Sequence, residues 1–234
     1  MIIIYILFFS FIYADIHARC PENIEREGRP DLDYYHDSPS GDFRIHYNKT
    51  GDDAPDLEGS NSFTNTDDYV KSVAIAADSA KYILTELMGY NQEGSDSDGI
   101  YDIYIVLLQP AYWGVHIPDS EEGGSYIKIK NSYEDVGNED PLSDYCNNTK
   151  DRLWLTVGHE YFHAIQHAYN DNIANYFEEF TSMWFENIFV PSCCDFVGFT
   201  GSPDSPSENN PYSLFQNPME SFVGNHTSHY SYGY

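Results

Sequence analysis

The stretch Val157-Gly158-His159-Glu160-Tyr161-Phe162-His163-Ala164-Ile165-Gln166 constrains this chain more than any other. Residues four apart share a face of an α-helix, so His159 and His163 can direct two imidazole nitrogens at one cation. Glu160, about 100° round the helix from His159, reaches a water beside that cation without being a ligand. Leu153, Val157, Tyr161, Ala164, Ile165 and Ala168 form an apolar stripe at helical spacing, and no proline interrupts residues 152–170. The pattern predicts one helix that presents two ligands and a general base. The plainer reading, a surface helix with solvated histidines, leaves the coincidence of stripe, imidazoles and carboxylate without a reason.

Zinc takes imidazole nitrogen readily, and a catalytic zinc site uses three protein ligands and keeps one position open. The third ligand is not His167. At about 1.5 Å of rise per residue it lies roughly 12 Å along the axis from His159, too far to share an ion bound at about 2 Å. The longer motif that adds a glycine and a third histidine also fails, because Gln166 and Tyr169 stand at those positions. A carboxylate from the next segment is the better candidate. Phe177, Phe180, Trp184 and Ile188 predict a second amphipathic helix over 175–187, entered through the turn-rich Asn170-Asp171-Asn172. That segment carries Glu178, Glu179 and Glu186.

These residues resemble the gluzincin metallopeptidases. They are more closely similar to a group of secreted bacterial metallopeptidases that carry His-Glu-Phe-Phe-His-Ala-Ile-Gln and then a Glu-Ala-Thr-Ala-Thr-Trp-like helix. Laid on that pattern, Glu179 matches the ligand glutamate, with Thr181 and Trp184 in register. Glu178 is one residue off, and Glu186 is either a support behind a ligand or, slightly favoured, a solvated acid. Gly41 to Tyr47, Asp68 to Val70, Asp98 to Ile105 and Gly124 to Lys130 also resemble the group's N-terminal half, so the likeness spans residues 41–187.

The resemblance implies an α+β, zincin-like fold: a small twisted, mostly β N-terminal sheet with a packing helix, followed by an active-site helix and a ligand helix. It implies a zinc peptidase acting on peptide or protein, with His159, His163 and Glu179 holding one Zn²⁺ and Glu160 as general base. Sites of this kind use a further donor to the oxyanion. His229 and Tyr232, with His226 and Tyr230, are the tail residues able to supply it.

Composition narrows the setting. Thirty-eight acidic residues face 11 basic ones, a net charge of −27, which repels nucleic acid and anionic membranes. With 41% hydrophobic and 16% aromatic residues in 234, the chain can bury the core of one domain. Ile2 to Ala14 is almost unbroken apolar sequence, too short to span a bilayer comfortably and suited to a secretory signal cleaved after Ala14. A lipoprotein signal ending at Cys20 is excluded by Arg19. Residues 15–41 then read as an N-terminal extension and 42–234 as a single domain. Related peptidases continue past this end with further helices, which implies a truncated chain.

Cysteine usage agrees with export. Cys193 and Cys194 are adjacent, so a bridge between them is strained, and one is expected to pair with Cys146 and the other with Cys20. Sequons begin at Asn48, Asn147 and Asn225.

Elsewhere, Phe43 to Tyr47, Ile100 to Leu108, Tyr112 to Ile117 and Ser125 to Lys130 read as strands. The last, which alternates apolar and polar, is expected at a half-exposed edge, where by resemblance it would pair with extended peptide. A long helix is expected from Asp67 to Gly89, capped by Thr66. Asp96-Ser97-Asp98-Gly99 faintly echoes a Ca²⁺ loop but lacks the remaining ligands, so an acidic turn is preferred. Two other functions compete: a secreted binding or adhesion module on a peptidase fold without turnover, and a Ca²⁺-stabilised extracellular structural domain.

Overall fold

The computed structural model describes residues 28–94, 98–109, 112–119, 124–133, 146, 148–169, 175–193, 201–202 and 205–206. The chain is α+β. Its strands are β1 (Tyr34–Asp37), β2 (Phe43–Tyr47), β3 (Tyr101–Val106), β4 (Gly114–Pro118) and β5 (Ser125–Lys130), joined in one sheet of order β1-β2-β3-β5-β4. β2, β3 and β5 run parallel, whereas β1 on β2 and β4 on β5 are antiparallel. A separate two-stranded ladder joins β6 (Gly201–Ser202) and β7 (Ser205–Pro206).

The period of two in β2 turns Phe43, Ile45 and Tyr47 inward. β3 is buried along its whole length, as its near-continuous apolar sequence demands of a central parallel strand. Against one face lies α1 (Thr66–Lys81), whose Val70, Val73, Ala74, Ala77 and Ala80 are buried. Asn65, not Thr66, caps it, its side chain accepting from the Asp68 amide at 2.9 Å. The helix does not run uniformly to Gly89. It widens into a π-helical segment over Tyr82–Leu87 and stops at Gly89, where φ is +79°.

On the same side, α2 (Thr149–Tyr169) packs between α1, β4 and α3 (Asn175–Phe189). Asn148 caps α2 by accepting from the Asp151 amide at 2.7 Å. Cys146, just before this cap, is bridged to Cys193, just beyond α3. The disulfide therefore clamps the start of one helix to the end of the next. Cys20 and Cys194 lie outside the described residues.

Four expectations need correction. Tyr34–Asp37, within the stretch read as an extension, is a strand paired with β2. Ser125–Lys130 is not a half-exposed edge. β5 lies between β3 and β4 with all six residues buried, and its alternation arises because Lys128 lies with Tyr126 on the second face of the sheet, its Nζ 6.0 Å from the Tyr126 ring centroid. The edge on this side is β4, which begins at Gly114 rather than Tyr112, and among the described residues β1 is the opposite edge. In α3 the buried stripe is rotated from the expected one: Ile188 is exposed, and Ser182, Phe185, Glu186 and Phe189 face inward.

The second face of the sheet buries Tyr104, Val106, Val115, Ile117 and Tyr126. There Arg29 forms ion pairs with Asp102 and with Asp119, the latter at 2.8 Å, and His46 bonds Asp102 at 2.7 Å. No described helix is long and apolar enough to cross a membrane.

Candidate metal centre

Two faces of α2 meet different neighbours. One carries His159, His163 and Gln166 toward α3. The other carries Thr156, Glu160, His163 and His167 toward β4.

On the first face the imidazoles of His159 and His163, four residues apart, bring their Nε2 atoms to 3.0 Å. Glu179 reaches across from α3, with one oxygen 3.3 Å from His159 Nε2 and the other 3.6 Å from His163 Nε2. Among the described residues this is the one group of three or more His, Cys, Asp or Glu side chains whose ligand atoms converge, all within 4.8 Å. Both imidazoles are almost wholly buried.

The partners of the outer ring nitrogens decide which way the lone pairs point. His159 Nδ1 lies 2.6 Å from Glu186 Oε1. An ionised carboxylate only accepts, so Nδ1 carries the hydrogen and Nε2 presents its lone pair inward. His163 Nδ1 lies 2.8 Å from Gln166 Oε1. The Gln166 amide cannot be turned round, because its Nε2 donates to the Glu178 carbonyl at 3.0 Å and to the Thr181 hydroxyl. His163 Nδ1 therefore donates as well, and its Nε2 lone pair faces that of His159. Two lone pairs at 3.0 Å beside a carboxylate require a positive charge among them.

A proton is one such charge. Burial by itself lowers the His159 pKa, but hydrogen bonds and charge from Glu179 and Glu186 outweigh it and lift the group to about 10. Burial, reinforced by the charge on His159 and opposed by Glu179, lowers His163 to about 4. A divalent cation is the other possibility, and two imidazoles with one carboxylate are a donor set that zinc accepts.

On the second face Glu160 is buried and packed against the edge strand. A Cβ placed on Gly114 would lie 2.6 Å from Glu160 Cγ, 2.8 Å from Thr156 Cγ2 and 2.9 Å from Glu160 Oε1. The absent side chain at residue 114 is what lets the general-base candidate sit against β4. Two residues on, on the same side of that strand, the His116 ring stands 6.4 Å from that of His163 and 5.4 Å from that of His167. α2 approaches α3 as closely at Gly158, where a Cβ would fall 2.4 Å from Phe189 Cδ1.

The candidate residues thus separate. His159, His163 and Glu179 come together, with Glu160 on the adjoining face of the same helix. Glu178 offers its carbonyl to Gln166, and burial with the neighbouring Glu179 charge raises its carboxyl pKa to about 6. Glu186 is not a solvated acid: it is 1% exposed and bonded to His159. His226, His229, Tyr230 and Tyr232 lie outside the described residues, as does Asp96. Asp98 pairs with Arg44 at 3.1 Å and accepts from the Ile100 amide at 3.0 Å, which makes it a structural turn residue. A cavity of about 430 Å³ opens elsewhere, beside Asp52, Asp56, Leu107 and Asn131, and shares no residue with this centre.

Compared with known proteins, the chain matches no family model and no curated protein.

Sequence reasoning had no means of finding Gly114 and His116, whose relevance depends on β4 being the strand beside α2. Gln166 did leave a signal, three residues after His163 on the same helix face.

Proposed function

We propose that this chain is an exported zinc-dependent peptidase with a zincin-like, gluzincin-type site. The observation that carries the reading is the convergence of two buried Nε2 lone pairs and the Glu179 carboxylate, with both outer nitrogens tied to acceptors. His159, His163 and Glu179 would hold the ion. A zinc ion there supplies Lewis acidity and makes water a nucleophile near neutral pH.

The chain's own residues supply the rest. Glu186 and Gln166 hold the imidazoles in the ligating tautomer. Glu160 takes the proton from the attacking water and returns it to the leaving amine. β4, the outer strand, offers its backbone to an extended peptide, the task that sequence alone would give to β5. Export is supported by the apolar run 2–14 and by the Cys146–Cys193 bridge.

The test is direct. Purified protein is expected to hold close to one zinc per chain and to cleave an unfolded substrate such as heat-denatured casein. Glu160→Gln is expected to abolish cleavage and keep the zinc. A Glu160→Gln variant that cleaves at the parent rate defeats the mechanism, and calcium in place of zinc favours a structural domain.

A further inference from the structure

His116 has no part in the chemistry above, yet it stands at the mouth of that chemistry with a need unmet. Its Nε2 is buried and has no hydrogen-bond partner among the described residues. Natural proteins rarely leave such an atom alone, and an exception calls for a ligand, a water or a function. The surroundings narrow the choice.

β4 is the outer strand on the α2 side, paired among the described residues with β5 alone. Side chains alternate along it: Val115 and Ile117 enter the cluster on the second face of the sheet, so Gly114 and His116 look toward α2. Gly114 abuts Glu160, and His116 abuts His163 and His167. A peptide added to the edge of β4 obeys the same alternation. One of its residues would lie against Gly114 and Glu160. The residue two positions along, on the same face, would place its side chain beside His116.

Resting on the peptidase reading, we infer that His116, backed by His167, forms a specificity subsite that takes an amide or hydroxyl side chain two residues along the substrate from the one lying against Gly114. Asn and Gln fit best, because an amide both donates and accepts and so satisfies Nε2 in either tautomer. An aliphatic side chain leaves the nitrogen unpaired, and a site with a buried unpaired polar group rejects the analogue that cannot bond it. A carboxylate fits less well. It would be buried against a neutral imidazole, in a protein of net charge −27.

The experiment profiles cleavage of a mixture of random-sequence peptides by wild type, His116→Leu and His116→Gln, with zinc content measured for each. Wild type is expected to favour Asn, Gln, Ser or Thr over Leu and Val on the order of tenfold at one fixed position. His116→Leu is expected to invert that preference, and His116→Gln to retain it. A readout without turnover uses Glu160→Gln and two dye-labelled peptides that differ only as Asn or Leu at that position. Fluorescence anisotropy is expected to show tighter binding of the Asn peptide, and the difference is expected to vanish when His116→Leu is added. An unchanged profile and an unchanged affinity ratio in the His116→Leu proteins overturn the subsite while leaving the peptidase intact. Zinc loss from both His116 variants also overturns it, since His116 would then be a prop for His163. A wild-type protein that neither holds zinc nor cleaves overturns both readings together.

Discussion

Glu186 Oε1 stands 2.6 Å from Nδ1 of His159, at the inner face of α3 and out of reach of solvent. Seven residues earlier on the same face, Glu179 meets the other nitrogen of that ring. One helix therefore meets a single imidazole from both sides, Glu179 at Nε2 and Glu186 at Nδ1. Removing an orienting acceptor of this kind costs roughly 10–100-fold in metal affinity. Glu186→Gln is expected to weaken zinc binding by about that factor, and Glu186→Ala by more, because Nδ1 then has no acceptor. Competition against a chromophoric chelator measures it, and parent-like affinity in Glu186→Ala would show that His159 is held by something else.

Gly114→Ala separates positioning from binding. The new Cβ would press on Glu160 Cγ and Oε1 and on Thr156 Cγ2, all within 3 Å. Misplacing a catalytic group by about 1 Å costs on the order of 10²-fold in rate. Turnover of denatured casein is expected to fall by about that much while zinc content stays close to the parent value. The thermal midpoint is expected to drop as well, because overpacking costs about 1–3 kcal/mol.

Gly158→Ala sets two effects against each other. In an isolated helix alanine is better than glycine by about 1 kcal/mol. Here the added methyl would meet Phe189 Cδ1 at 2.4 Å, on a ring stacked between Trp154 and Phe185 and unable to swing away. Overpacking of this sort costs about 1–3 kcal/mol, so the clash is expected to win. The melting temperature of Gly158→Ala should drop, and a rise would mean that α2 and α3 can separate freely.

Ion binding is expected to release protons with a definite sign. Without the ion His159 titrates at about 10 and is protonated at pH 7, while His163, at about 4, is neutral. Taking up a cation at pH 7 therefore expels about one proton per site. Affinity should climb about tenfold per pH unit above 7 and level off beyond pH 10. For the ion-free protein, a base whose folded pKa is raised adds stability that is complete below its unfolded value, about 6.5, and fades as pH rises through 10. Calorimetry in two buffers of different ionisation enthalpy counts the protons, and a count of zero contradicts the protonated pair.

Much of this was legible in the residues themselves. The paired imidazoles, the carboxylate between them, the length of α2, the strand spans of β2 and β5, and the glycine stop at Gly89 all depend on contacts within a few positions. Periodicity and local backbone preference report those directly. The rest was not legible, for a reason visible in α3. Its apolar residues suggested a stripe through Trp184 and Ile188, but the inward face runs through Ser182, Phe185, Glu186 and Phe189. A buried acid bonded to an imidazole looks, in sequence, the same as a solvated one.

The sequence by itself determined that two imidazoles and a carboxylate share one helix, because helical geometry is set by neighbours in the chain. Only the tertiary structure decided that β4 rather than β5 ends the sheet on this side, that Glu186 stands behind His159, and that Gly114 and His116 lie against α2. The contacts of Glu186, Gly114 and His116 join residues 27 to 51 positions apart, and burial across such separations depends on how the whole sheet and three helices pack.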